Sequence, residues 1–241
     1  MSLVCKLQTI PSNMKLAFSA VLLWVGAITT AQSKPHGHHH RKHKYQSPLG
    51  IPLPGPAFKI SQKIHQTAHI PFVPHTAPQP FASWLGQQLD FTYVKPIFDA
   101  LNATDKTLIT RGESHITVIT PPEFDGALHL ANVTIDEINA IALKNHIQAA
   151  QFKIVCLGQE HILLDKEEYR VFSVLIDAPD LRKIREDVFR LYASKGGNTG
   201  LFDPHAFWPH ITVGFNQRDL FIQDNIYKGY NACWRPIVEM H

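Results

Sequence analysis

The chain has 241 residues, 44% of them hydrophobic and 18% charged, with a formal net charge of +3 and three cysteines. That length and apolar share suit one or two packed domains. They exclude a collagen-like chain, a wholly disordered chain and a small scaffold stapled by disulfides.

Residues 1–31 read as a secretory signal. Lys6 and Lys15 precede an apolar run over 16–28, and Thr29-Thr30-Ala31 offers small residues for cleavage after Ala31. The run is shorter than the roughly 20 residues needed to cross a bilayer, so export is expected, with an uncleaved anchor as the alternative. The expected location is extracellular, with no membrane attachment after cleavage. The mature chain then keeps Cys156 and Cys233, which an oxidising compartment allows to pair; sequence does not say whether their Cα atoms come close enough. The sequons at Asn102 and Asn132 agree with export and with a glycoprotein.

Residues 32–86 form a basic arm without Asp or Glu, and 35–80 hold nine of the seventeen prolines and eight of the fifteen histidines. Such a composition predicts an extended or disordered segment. The run Pro35-His36-Gly37-His38-His39-His40-Arg41 reads as a solvated spacer, with contact to polyanions or a transition metal as the alternative. The remaining residues, 87–241, are expected to form the folded domain. They carry fifteen basic and twenty acidic groups, so no long nucleic-acid duplex is expected as a partner.

Along that domain, residues 89–94 alternate around Phe91 and Tyr93 and predict a strand, and Pro96 opens a helix to about Asn102. Residues 115–120 predict a strand stopped by Pro121-Pro122. Thr134-Ile135-Asp136-Glu137 is a capping box for a helix running to about His146. Three strands follow at 152–157, 161–165 and 169–176. An amphipathic helix from Asp180 then buries Leu181, Ile184, Val188 and Leu191 and ends at Gly196-Gly197, and a last strand covers 209–215. Strands in runs, with helices between the runs, predict an α+β domain with antiparallel sheets.

A tetrapeptide repeats within this frame. His115-Ile116-Thr117-Val118 recurs as His210-Ile211-Thr212-Val213, and both copies fall in predicted strands. Side chains alternate along a strand, so His115 and Thr117 share one face, as do His210 and Thr212; Ile116, Val118, Ile211, Val213 and Phe215 take the other. Each strand thus offers an imidazole and a hydroxyl, backed by a hydrophobic core. A third match, His65-Gln66-Thr67, lies in the arm and is set aside.

The stretches Arg111-Gly112-Glu113-Ser114-His115-Ile116-Thr117-Val118 and Trp208-Pro209-His210-Ile211-Thr212-Val213-Gly214-Phe215 resemble the paired His-hydrophobic-Thr/Ser motifs of the 2H phosphoesterase superfamily, the LigT-like cyclic phosphodiesterases and RNA-repair-like enzymes. The resemblance implies a bilobal, pseudo-symmetric α+β fold, with two antiparallel sheets facing each other across a cleft and helices outside. It implies hydrolysis of 2′,3′-cyclic phosphates on nucleotides or RNA ends, with His115 and His210 as catalytic acid and base. Thr117 and Thr212 would hold the phosphate oxygens. No metal and no cofactor is required. Imidazole suits either role because its unperturbed pKa lies near neutrality. Which ring is acid and which is base depends on how the substrate lies.

Tyr93, Phe207 and Trp208 are candidates for stacking on a base, Arg111 for meeting a phosphate, and His205 for a place near the cleft. The expected partner is a small nucleotide or RNA end bound by a monomer. Two other readings stand beside the enzyme: a 2H-fold module that binds phosphorylated ends without turnover, and a secreted metal-binding protein acting through the His-rich arm. Gly-x-Ser-x-Gly, His-Glu-x-x-His and Cys-x-x-Cys are all absent, which counts against other hydrolase types.

Overall fold

The computed structural model describes residues 52–241. The signal reading for 1–31 and the first part of the arm, 32–51, lie outside the described residues. Within them the chain runs β1 (Phe58–Ser61), β2 (Leu85–Leu89), α1 (Lys95–Thr104), β3 (Ser114–Ile119), α2 (Pro121–Glu123), α3 (Ile135–Lys144), β4 (Lys153–Leu164), β5 (Glu167–Asp177), α4 (Pro179–Ser194), β6 (His210–Phe215), β7 (Cys233–Arg235) and β8 (Ile237–Met240). The class is α+β. No helix of the described residues is long and apolar enough to cross a membrane.

Six strands form one sheet in the order β2-β3-β6-β5-β4-β7, every neighbouring pair antiparallel. This corrects the expectation of two antiparallel sheets facing each other. The two motif strands β3 and β6 are neighbours in a single sheet, paired at Ile116 and Ile211. A separate two-stranded parallel pair joins β1 to β8.

Ile116, Val118, Ile211 and Val213 are buried on the back of the sheet. They share one core with Ile97 and Leu101 of α1, Ile138 and Ala142 of α3, and Leu181, Ile184 and Val188 of α4. Burying each such aliphatic side chain contributes about 1.5–3 kcal/mol, so this face is what the strands' alternation is anchored to. Phe215 departs from the expected pattern and packs with Val171 and Leu220. The β5–β6 register shifts between Phe172 and Ser173, and the extra residue on β6 turns Phe215 to the other side.

Several predicted elements need redrawing. The strand expected at 89–94 lies earlier, because the Asp90 carboxylate accepts from the Thr92 amide and starts a 3-10 turn over Phe91–Tyr93. The strands expected at 152–157 and 161–165 are one, β4, which passes through Gly158 under the Leu175 side chain. The capping box closes on α3 as expected, with the Thr134 hydroxyl accepting from the Glu137 amide. Helix α4 also stops where expected, with Gly196 at φ +78°.

Residues 52–86 are ordered, against the expectation for the arm. Ile60 and Ile64 are fully buried, and β1 takes its hydrogen bonds from β8, at the far end of the chain. Gln87 donates to the Thr67 hydroxyl and to the Ala150 carbonyl, and the His65 ring meets Glu239 at 2.9 Å. Composition averaged over the arm cannot register partners this remote in sequence. Cys156 on β4 and Cys233 on β7 form a disulfide across a separation of 77 residues. Closing a loop of that size stabilises by about 4.5 kcal/mol in the chain-entropy account.

Candidate active site

His115 and Thr117 on β3, with His210 and Thr212 on β6, line one cavity of about 570 Å³. They do so because Ile116 and Ile211 must face the core, and the two-residue period then sends their neighbours to the opposite face. The other walls come from Trp84 ahead of β2, from Arg111, from Phe207 and Trp208 ahead of β6, and from residues 218–228 after β6.

The His210 ring is held at both nitrogens. Its Nδ1 lies 2.8 Å from the Trp208 carbonyl, and its Nε2 lies 3.2 Å from the Lys228 ammonium. Lys228 is itself buried, with its side chain 4% exposed, and donates to Asp219 Oδ1 at 2.6 Å. Asp219, 5% exposed, also accepts from the Leu220 amide at 2.8 Å and the Thr212 hydroxyl at 3.1 Å, and meets Arg111 at 3.4 Å. Burial opposes ionisation of Asp219, yet Lys228 and His210 hold its carboxyl below the usual range. Burial lowers the Lys228 ammonium's pKa, against the pull of Asp219. Burial, then the Lys228 charge, pushes the His210 pKa well down.

His115 is held differently. The Trp84 ring lies against it with centroids 4.5 Å apart, and His75 stacks on the far side of Trp84 at 3.6 Å and 15°. Gln88 fixes His75 through a 2.7 Å contact to its Nε2. Gly86 makes room for this stack, since a Cβ there would sit 2.5 Å from the Trp84 ring. His115 Nδ1 has no hydrogen-bond partner among the described residues, and the Glu113 carboxylate is 3.6 Å away. Burial, with help from Arg111, lowers the His115 pKa to about 4. Both rings are therefore neutral at neutral pH.

A buried arginine ties the end of β3 to the loop ahead of β6. Arg185 of α4, with its side chain 1% exposed, donates to the Val118 carbonyl at 2.7 Å. It also donates to the carbonyls of Asp203, Pro204 and Ala206 and makes a two-pronged pair with Glu123. One guanidinium thus fixes the end of β3 and the loop that delivers Phe207 and Trp208.

Of the stacking candidates, Phe207 and Trp208 line the cavity, whereas Tyr93 does not. Tyr93 sits in the 3-10 turn after β2 and packs on the core, because Asp90 ends the strand before it. His205 is exposed and is not part of the lining, whereas Arg111 is. Sequence reasoning missed Trp84, Asp219 and Lys228. Trp84 lay inside the supposed arm. Asp219 and Lys228 fall in an irregular segment where no periodicity marks them.

Two histidines and two hydroxyls face a shared cavity with the buried Lys228 ammonium beside them, groups able to exchange protons with a phosphate ester and to donate hydrogen bonds to it. The family comparison agrees. Residues 83–221, more than half of the chain, match the family described as Swiss Army Knife, 2H phosphoesterase domain, and the chain belongs to that family. As such it is a hydrolase of the 2H phosphoesterase type. No curated protein and no solved structure gives a significant match.

Proposed function

We propose that the protein is an exported phosphodiesterase that opens 2′,3′-cyclic phosphates on nucleotides or RNA ends, using His115 and His210 as its acid–base pair. The carrying observation is the cavity wall on which His115, Thr117, His210 and Thr212 converge next to Lys228 and Arg111. In this reading one ring takes a proton from the water that attacks phosphorus, and the other gives a proton to the departing ribose oxygen. Thr117, Thr212 and Arg111 face the non-bridging oxygens and stabilise the charge that builds there. The anionic substrate raises the depressed imidazole pKa values on binding, which lets one ring carry the proton it must donate. Phe207 and Trp208 offer a stacking wall for a base. The Cys156–Cys233 disulfide supports export, because such bonds persist in oxidising compartments.

The test is hydrolysis of the four 2′,3′-cyclic nucleotides by the mature protein with chelator present, beside His115→Ala and His210→Ala. Turnover that survives the chelator and falls at least about a hundredfold in both folded variants is expected, the usual range for losing an acid or base. Equal rates in all three proteins would place the activity elsewhere. Binding of the cyclic phosphates without turnover would favour a module that holds phosphorylated ends.

A further inference from the structure

Beyond the segment matched by the family, the chain supplies one more group to the site. Lys228 follows the irregular stretch after β6, and its ammonium is enclosed by Asp219, the His210 ring and, at 5.6 Å, the Phe221 ring. An ammonium can only donate, and a backbone carbonyl can only accept. With Lys228 at Nε2 and the Trp208 carbonyl at Nδ1, the His210 ring has one arrangement that satisfies both: hydrogen on Nδ1 and a lone pair on Nε2. Nothing comparable constrains His115, whose Nδ1 has no hydrogen-bond partner among the described residues.

We propose that Lys228 is a positioning residue for the phosphoester reaction, holding His210 with its lone pair on Nε2, so that His210 is the proton acceptor and His115 the proton donor. The inference rests on the phosphodiesterase reading above. The attacking water gives a proton to His210 Nε2 as its oxygen bonds to phosphorus. The phosphorus–ribose oxygen bond breaks, and the ribose oxygen takes the proton carried by the His115 imidazolium. The 3.2 Å contact to Nε2 is longer than the 2.6 Å contact to Asp219, so Lys228 can turn towards an arriving phosphoryl oxygen and free Nε2 while keeping its carboxylate. The charged groups that bear on this cluster are Asp219 after β6, Arg111 and His115 on the β3 side, and Glu160 on β4. Asp219 and Glu160 favour the ammonium, whereas Arg111 opposes it; Lys228 in turn is the first charge after burial to act on His210, whereas for His115 it follows Arg111, His75 and Asp219.

The test combines a pH profile of kcat/KM on a 2′,3′-cyclic nucleotide with an imidazole nitrogen NMR titration of His210, in wild type and Lys228→Met. Because Lys228→Met leaves Asp219 buried without its partner, Lys228→Met/Asp219→Asn is run beside it. In wild type the Nδ1–H tautomer is expected, with the acid limb of the profile well below pH 6.5. Loss of the ammonium should move both the His210 titration and the acid limb upwards, by about one pH unit or more in the single variant and less in the double. A merely structural lysine would lower the rate at every pH and leave the limb in place. An unmoved His210 titration in either folded variant, or an Nε2–H tautomer in wild type, overturns the proposal. A moved titration in a protein that turns over no cyclic phosphate upholds the Lys228–His210 coupling and overturns the phosphodiesterase reading instead.

Discussion

His115 and His210 occupy the same place in the same tetrapeptide on adjacent strands, yet their supports are of opposite kinds. His115 is steadied by an aromatic stack, Trp84 and His75, which limits where the ring lies and leaves Nδ1 without a hydrogen bond. His210 is steadied by polar contacts at both nitrogens, drawn from Trp208, Lys228 and, behind them, Asp219. A four-residue motif therefore settles which face a side chain takes. Its chemical state is set by residues outside the motif, from Trp208 two positions before His210 to Trp84 and His75 well ahead of β3.

The largest effect should come from the group that joins the two regions. Arg185 donates to the end of β3 and to the loop before β6 from a fully buried position, and its charge is met by Glu123. Arg185→Met removes those bonds and leaves several carbonyls without this donor and the Glu123 carboxylate without its cation, held among the described residues only by the Thr120 amide and hydroxyl. A loss of about 3–5 kcal/mol is expected, the usual range for breaking a buried pair from one side. Denaturant unfolding checks this, and loss of activity should accompany it. An unfolding midpoint near wild type would mean the two strands are held together by the sheet alone.

Acidification should come next. His115 titrates at about 4 in the folded chain against 6.5 in the reference state, and burial is the first cause. A histidine with a lowered native pKa binds fewer protons folded than unfolded. Its contribution is therefore constant above pH 6.5, and stability is lost as pH falls from there towards 4. For His115 the loss amounts to about 3 kcal/mol. His210 shifts in the same direction and adds to it. Melting temperature followed from pH 7 to 4 should drop, and His115→Gln should flatten the fall. An unchanged slope in that variant would mean the ring is better solvated than its packing against Trp84 indicates.

How much of this was legible in the sequence follows from the range of the interactions. The face pattern of β3 and of β6 as far as Val213, the Thr134 capping box and the Gly196 stop depend on neighbours within a few residues and could be read directly. The turn of Phe215, by contrast, follows a register shift against β5. The ordering of residues 52–86 depends on β1 pairing with β8 and on Gln87 reaching Thr67 and Ala150, contacts that local composition does not encode. The single sheet was missed because adjacency of β3 and β6 rests on pairing across the whole domain. Trp84, Asp219 and Lys228 were missed for the same reason. Each is ordinary in its own stretch and becomes informative only beside a motif histidine.

The aromatic side of the comparison can be tested alone. Gly86→Ala puts a Cβ 2.5 Å from the Trp84 ring, and neither a strand backbone nor a large ring between two histidines yields easily. The ring should be displaced from His115. Turnover is expected to fall about tenfold, on the scale of about 1.4 kcal/mol set by losing an aromatic contact of 0.5–1.5 kcal/mol. Trp84→Leu should fall by a similar factor. The His210 titration should stay where it is in both variants, since Trp84 does not touch that ring. A shift in His210 would show that the two supports are coupled and that the division drawn between them is too sharp.

The smallest effect separates the two carboxylates that lie near the motif histidines. Glu113 and Asp219 each lie near a motif histidine, but Glu113 is 51% exposed and its oxygen is 3.6 Å from His115 Nδ1, beyond hydrogen-bond distance. Solvent screens such a pair, and exposed ion pairs contribute about 0–1 kcal/mol. Glu113→Gln should change kcat/KM by less than about fivefold and leave the melting temperature nearly unaltered. Asp219→Asn, by contrast, weakens the partner of a buried ammonium, so a loss of stability several times larger is expected. If Glu113→Gln proved as damaging as Asp219→Asn, Glu113 would have to close on His115 during turnover. His115 would then possess a carboxylate partner after all, and the contrast between a stacked ring and a hydrogen-bonded one would not survive into turnover.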